Sequence, residues 1–274
     1  MVRPGGEPDN RIPGGCEQVP VALTDVDELT RIVAQCDVVI YCAGSVRGRD
    51  ATDFSTANIK GVQAILEAMQ KADSEAPFLL MSSLAASKPH LSDYANSKYA
   101  GEQILQNYLV LNWTIFRPPA VYGPGDKEML PLMKMMRRGL LAHAGPVDQR
   151  LSLLHVDDLA NAVVSWISAP DKCRHQTYAL DDGTTGGYSW PRMAEAVCDG
   201  KFRILSVPRF LLDGAARLNM LFSSLMGYAP MLSPGKVREL VEPEWLGDNR
   251  AFTEASGWQP KVNLRRGAEQ LFKT

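Results

Sequence analysis

The sequence predicts an α/β protein built on a parallel sheet with helices on both faces. Two observations carry this. The leading two-thirds of the 274 residues alternates short, continuously apolar runs with amphipathic stretches. Strands covered on both sides need such runs, and parallel strands need helical crossovers between them. In addition, the runs DVVIYCAG and PFLLMSS end in small or hydroxylated residues. In open parallel sheets the ligand crevice lies at the carboxyl ends of strands.

VPVALT (19–24) reads as the opening strand, and TDVDELTRIVAQC as a helix with an acidic first turn. DVVIYCAG (37–44) is a second strand. In NIKGVQAILEAMQKA (58–72), Ile59, Val62, Ile65, Leu66 and Met69 recur at helical spacing. PFLLMSS (77–83) is again a strand, and SDYANSKYAGEQILQNYL (92–109) a helix opened by a serine cap. NWTIFRP (112–118) is a strand stopped by prolines. From Gly123 onward glycine and proline become frequent; DLANAVVSWISA (158–169) adds a helix and HQTYALDD (175–182) a strand. The remainder is helix and loop. The expected division is therefore 1–182 for the sheet domain and 183–274 for a small, mostly helical cap, with a contribution from about 123–150.

Composition excludes several classes. At 45% hydrophobic and 22% charged, the bulk of the chain carries enough apolar material for a core. With 29 Lys+Arg against 31 Asp+Glu, the net charge of −2 offers no basic face for nucleic acid. No run is long and apolar enough to span a membrane, and MVRPGGEPDNRIPGG lacks the apolar region of a secretion signal. Cys16, Cys36, Cys42, Cys173 and Cys198 form no C-x-x-C pair, so the expectation is reduced, mostly buried thiols in a cytoplasmic protein. His90, His143, His155 and His175 have no metal-ligand spacing, and no metal is expected.

Chemistry concentrates in three residues. Ser83 closes a strand, and Tyr94 and Lys98 follow in YANSK. Positions i and i+4 share a helix face, so Tyr94 and Lys98 can address one ligand. A phenol with a pKa of about 10 moves protons poorly at neutral pH, and a nearby ammonium is expected to lower it. A serine hydroxyl can hold a substrate oxygen beside the phenol. Such a trio suits proton transfer to or from an alcohol or ketone. Y-x-x-x-K alone recurs by chance on exposed helix faces; its company is what matters. CAG ends one strand, NIKG opens a helix, SS ends the next strand, and YANSK, RPPAVYGPG and LLHVDDLA follow in order.

These segments resemble the extended (or closely related atypical) short-chain dehydrogenase/reductases of the NAD-dependent epimerase/dehydratase superfamily. The resemblance runs over nearly the whole chain, through GWQPKVNLRRGAEQL (257–271). It implies a Rossmann-type doubly wound sheet, a bound NADP or NAD, and Ser83, Tyr94 and Lys98 as the catalytic trio, with Tyr94 as general acid/base. Lys98 would also hold the nicotinamide ribose. Cys42, Ala43 and Gly44 would lie under the cofactor, Asn58 would support the site, and Pro119 to Val121 would border the nicotinamide. His155 to Asp158 would fix the loop entering a helix. Helices near NIKG and YANSK imply a homodimer.

The sequence also departs from the family's pattern. No G-x-x-G-x-x-G follows a first strand, and VRPGG (2–6) matches the turn after the second strand instead. The expectation is an N-terminally incomplete sheet, the sequence starting at an internal methionine of a longer protein. Strand 1 is central in the order 3-2-1-4-5-6, and its turn binds the pyrophosphate. Arg3 stands where NAD-preferring members carry an acid, which favours the 2′-phosphate of NADP. Ala22 replaces an Asp near the adenine. Ala120 replaces an Asn frequent in nucleotide-sugar enzymes, which weakens that reading.

The segment 207–240 is rich in Leu, Met and Phe, and Phe210, Leu211, Ala215, Leu218, Leu221, Phe222 and Leu225 share one helical face. Packing of this face onto the sheet or a dimer contact is the plainer expectation; a lipid-like substrate or peripheral membrane contact is the sharper one. LSPGKVREL and EPEWLGDNRAF likewise resemble sterol- and lipid-directed members. The leading functional expectation is thus an NAD(P)-dependent oxidoreductase acting on a secondary alcohol or ketone, lipid-like in character. The alternatives are a nucleotide-sugar epimerase/dehydratase and a non-catalytic scaffold with damaged cofactor binding.

Overall fold

The computed structural model describes residues 1–2, 4–5, 12–198 and 200–272. Arg3, the residue expected to select NADP, lies outside them. Helix α1 (Val26–Val33) is capped by Asp25, whose carboxylate accepts the Glu28 N–H. Strand β1 (Val39–Tyr41), short α2 (Ala51–Ser55), a π-helical turn at Thr56–Lys60 and α3 (Gly61–Lys71) follow. Strand β2 (Phe78–Met81) leads through two 3-10 turns into α4 (Asp93–Gln106). The serine cap is present: Ser92 Oγ accepts the Ala95 N–H at 3.0 Å. Then come β3 (Trp113–Arg117), β4 (Ala120–Tyr122), α5 (Leu130–Arg137), β5 (Leu140–His143), β6 (Arg150–Leu151) and β7 (Leu153–His155). Helix α6 (Val156–Ile167) and β8 (Gln176–Ala179) complete this half. Beyond lie α7 (Trp190–Val197), β9 (Arg203–Ser206), α8 (Arg209–Met226), α9 (Pro234–Val241), β10 (Glu244–Trp245), α10 (Arg250–Ser256) and α11 (Leu264–Phe272).

Strands β1-β2-β3-β8 form a four-stranded sheet in that order, all parallel. The fold is the expected α/β class. One apolar cluster joins α1, α3 and one sheet face through Leu29, Ile65, Leu66, Phe78 and Ile115. A second covers the other face through Leu79, Phe116, Trp166, Phe252 and Trp258. Its polar atoms are matched: Trp166 Nε1 donates to Thr114 Oγ1, which donates to the Cys173 carbonyl, both at 2.9 Å. A third cluster gathers Tyr122, Met133, Leu153, Trp190 and Leu264, so α5, α7 and α11 pack around the parallel pair β4–β7.

Four expectations need correction. VPVALT is not a strand: a single bridge joins Pro20 to Val2, with Val2 N–H to the Val19 carbonyl at 2.8 Å and Val21 N–H to the Val2 carbonyl at 3.0 Å. Among the described residues no strand pairs with β1 on the side away from β2. Second, the helix expected from residue 58 begins as a π turn, because α4 presses on it. A Cβ on Gly101 would lie 2.3 Å from the Asn58 carbonyl oxygen. Third, the thiols are not mostly buried: Cys173 is, Cys36 and Cys198 are partly so, and Cys16 and Cys42 are exposed. Cys42 sits at the open carboxyl end of β1. Fourth, the apolar face of α8 does not pack on the sheet; only Ala216 and Ser223 of that helix are buried. No helix among the described residues is long and apolar enough to cross a membrane.

Candidate active site

The carboxyl ends of β1 and β2 hold most of the predicted residues. Ser83 leaves β2 in extended backbone and starts a 3-10 turn, accepting the Ala85 N–H at 3.2 Å. Tyr94 lies in the first turn of α4, half-buried, with the Ser83 side chain next to its phenol. The Phe54 ring stands 6.1 Å from the Tyr94 ring, centroid to centroid.

Burial pushes the Tyr94 phenol above its usual range; the neighbouring Ser83 side chain opposes this and the charge of Glu239 adds to it. That reverses the expectation of a phenol lowered by Lys98. The lysine is engaged elsewhere: Lys98 is buried, and its Nζ donates to the Met81 carbonyl at 3.0 Å. Burial pulls the Lys98 amine down to about 8, while Cys42 and Glu102 work in the opposite direction. The Cys42 thiol is itself pushed up by burial and eased by Lys98.

Gly44 explains why the strand end is bare. A Cβ there would stand 2.9 Å from Lys98 Nζ and 3.2 Å from Asn58 Oδ1. Asn58, buried in the π turn, is fixed on three sides. Its Nδ2 donates to the Ser45 carbonyl at 3.0 Å and to Ser97 Oγ at 2.9 Å, and its Oδ1 accepts the Ser45 N–H at 3.1 Å. Ser97 Oγ donates in turn to the Tyr94 carbonyl at 2.7 Å. Asn58 thereby ties the loop after β1 to the turn of α4 that carries Tyr94. Ala43 packs against the core cluster beneath. Pro119 and Val121 are half-buried, and the adjacent Pro118 carbonyl accepts the Leu84 N–H at 2.8 Å, which holds their segment beside the Ser83 turn.

Several supporting residues were not apparent in the sequence. Glu102, fully buried, accepts from Arg117 Nε at 2.9 Å and from the Ser82 hydroxyl. Glu239, buried on α9, accepts from the Ser92 hydroxyl and from Lys236 Nζ at 3.0 Å. The serine that caps the helix of Tyr94 is thus held by a carboxylate 147 residues away, and nothing local in VREL signals such a contact. The role expected for His155 to Asp158 agrees with the structure: His155 Nδ1 accepts the Asp157 N–H at 3.3 Å, and the Asp158 carboxylate accepts N–H groups of Lys261 and Val262.

A parallel sheet with a serine, a tyrosine and a buried lysine gathered at its carboxyl edge has the arrangement of proteins whose ligand crevice lies at strand ends. Residues 6–180 match the NAD dependent epimerase/dehydratase family, and the chain belongs to that family. It is 32% identical to the ceramide reductase of Caulobacter vibrioides over 85% of this chain and 79% of that protein. In fold it is similar to RMD from Pseudomonas aeruginosa, solved with NADPH (TM-score 0.66, 17% identity, 96% of this chain and 88% of that one). It is also similar to UDP-glucuronic acid 4-epimerase from Bacillus cereus, solved with NAD (TM-score 0.64, 18% identity, 90% and 77%).

The residues present fit the nicotinamide-ribose end of a dinucleotide. The Gly44 backbone is open beside the Lys98 ammonium, and a Cβ there would press on Nζ at 2.9 Å. The pyrophosphate end has no matching glycine-rich turn among the described residues.

Proposed function

We propose that this chain is an NAD(P)-dependent oxidoreductase acting on a secondary alcohol or ketone of lipid-like character, and that it prefers NADP. The observation that carries the reading is the Tyr94 phenol beside Ser83 at the end of β2, one helical turn from the buried Lys98. Kinship with the Caulobacter vibrioides ceramide reductase supports reduction and the lipid-like substrate class. Arg3 supports NADP.

A nicotinamide held here would supply or accept the hydride. Ser83 holds the substrate oxygen, and Tyr94 Oη donates its proton to that oxygen in reduction or accepts it in oxidation. A phenol raised by burial keeps its proton at neutral pH, so Tyr94 stands in the form that reduction requires. Lys98 presents an ammonium to the ribose hydroxyls beside Gly44. Cys42 and Ala43 line the floor, Asn58 braces it, and Pro119 and Val121 form the apolar border. In this reading residues 1–182 hold the cofactor, and 183–274 with about 123–150 form the substrate cap. The protein would work in the cytoplasm as a homodimer.

Among the described residues the outer edge of β1 has no partner strand. The same edge favours a second reading, a non-catalytic scaffold that keeps the fold without the cofactor. Two experiments decide. NADPH oxidation is followed with long-chain ketones and with UDP-sugars, for this chain and for one extended by any in-frame upstream coding sequence. Turnover on the ketones, lowered by orders of magnitude in Tyr94→Phe, is expected; turnover on sugars alone refutes the lipid reading. Titration with NADPH should raise the melting temperature according to RT ln(1 + [L]/Kd), and a flat response from both chains favours the scaffold.

A further inference from the structure

Helix α8 turns its apolar side away from the protein. Phe210, Leu218, Leu221, Phe222, Leu225 and Met226 are all more than half exposed, with Leu225 and Met226 at 75%. At about 100° per residue these side chains fall within an arc of roughly 160°, opposite the buried Ala216 and Ser223. The patch continues past the helix into Tyr228 and Met231, and before it into Leu205, all exposed. Contiguous exposed apolar surface of this kind marks a site of contact.

Charge identifies the partner. Between residues 201 and 238 the cations are Lys201, Arg203, Arg209, Arg217, Lys236 and Arg238, all exposed, and the one acid is Asp213; the buried Glu239, then Glu242 paired with Lys88, and Glu244 follow. Asp213 is engaged by Arg209 at 3.6 Å, and Glu239 by Lys236 and Ser92. This basic surface stands on a chain of net charge −2. A second copy docking the same face about a two-fold axis would set like patches of cations against each other. An anionic surface with an apolar interior satisfies both features at once. Amphipathic helices with Phe and Leu on one side and Arg on the other lie in the interface of such bilayers.

We propose that α8 seats the protein on an anionic lipid bilayer, with the Phe210–Met226 arc entering the acyl boundary and Lys201, Arg203, Arg209 and Arg217 facing the headgroups. The contact follows from the exposed face and its charge, and it stands apart from the redox chemistry, so either can fail alone.

The test is sedimentation of the intact chain with vesicles of phosphatidylcholine alone and of phosphatidylcholine with 30% phosphatidylglycerol. Binding to the anionic vesicles, weakened at least tenfold on pure phosphatidylcholine and progressively by salt, is expected. Phe222→Ser with Leu225→Ser, both at exposed positions, should lower vesicle affinity at least tenfold with an unchanged circular dichroism spectrum and melting temperature. Arg203→Glu with Arg217→Glu should remove most of the salt dependence. Absence of vesicle binding overturns the proposal, as does binding that ignores both double variants. So does a dimer in sedimentation equilibrium that the Phe222/Leu225 variant dissociates without vesicle binding, since a second copy would then be the occupant.

Discussion

Lys98 offers the sharpest test of the electrostatics of the site. Its amine falls from an ordinary 10.5 to about 8 because it is buried. At about 1.36 kcal/mol per pH unit this difference corresponds to roughly 3 kcal/mol. Below pH 8 the folded chain must keep an ammonium where it is less stable than in the unfolded chain, so the penalty is full there. It fades as pH rises from about 8 to 10.5, where the unfolded lysine also loses its proton. Lys98→Met keeps a linear side chain of similar girth and removes the charge. It also leaves the Met81 carbonyl, now 3.0 Å from Nζ, without that donor, at a cost of about 1–3 kcal/mol. Near pH 7 the variant should therefore equal or exceed the wild type in stability. Between pH 8 and 10.5 the wild type should gain roughly 3 kcal/mol on it. Urea denaturation of both proteins at half-unit pH steps measures the difference, in which titrating groups not coupled to Lys98 cancel. A difference that stays constant from pH 7 to 10.5 would refute the reasoning, because a merely structural lysine gives no pH dependence.

Other substitutions probe the supports of the site. Gly101→Ala drives a Cβ to 2.3 Å from the Asn58 carbonyl and should cost more than about 2 kcal/mol in chemical denaturation. Arg117→Met strands the fully buried Glu102, and a loss of about 3–5 kcal/mol is expected by the same measurement. Tyr122→Phe deletes a buried hydroxyl that has no hydrogen-bond partner, so stability should hold or rise by about 1 kcal/mol; a marked loss would reveal a partner. Glu239→Gln removes a charge that raises the Tyr94 phenol, so phenolate absorbance should appear at lower pH, and the change should vanish in a Tyr94→Phe background.

Local chemistry made much of this legible beforehand. Continuous apolar runs marked β2 and β3 because both faces of the sheet are covered, and Ser92 and Asp25 announced helix starts through their caps. The i, i+4 spacing placed Tyr94 and Lys98 on one stretch of α4. What escaped were quantities set by distant neighbours. VPVALT has strand composition, yet a strand needs a partner, and among the described residues only Val2 provides a bridge. The Lys98 ammonium is within a helical turn of Tyr94, yet its proton donors are turned to Met81, so proximity in sequence misjudged the direction in which the phenol moves. Glu239 was invisible because helix α9 meets α4 only in three dimensions.

That last contact changes how the cap is to be understood. Glu239 accepts from the serine capping α4, Arg238 Nε donates to the Leu91 carbonyl at 2.7 Å, and Lys88 Nζ donates to the Glu244 carbonyl at 2.8 Å. Gly235 also sits against Ser92, where a Cβ would come within 2.9 Å of the serine Cβ. These links all converge on the six residues that connect the Ser83 turn to Tyr94. A carboxylate at this place does two jobs at once: it holds the first turn of α4, and its charge disfavours the phenolate. Any displacement of α9 therefore alters both the position and the acidity of Tyr94.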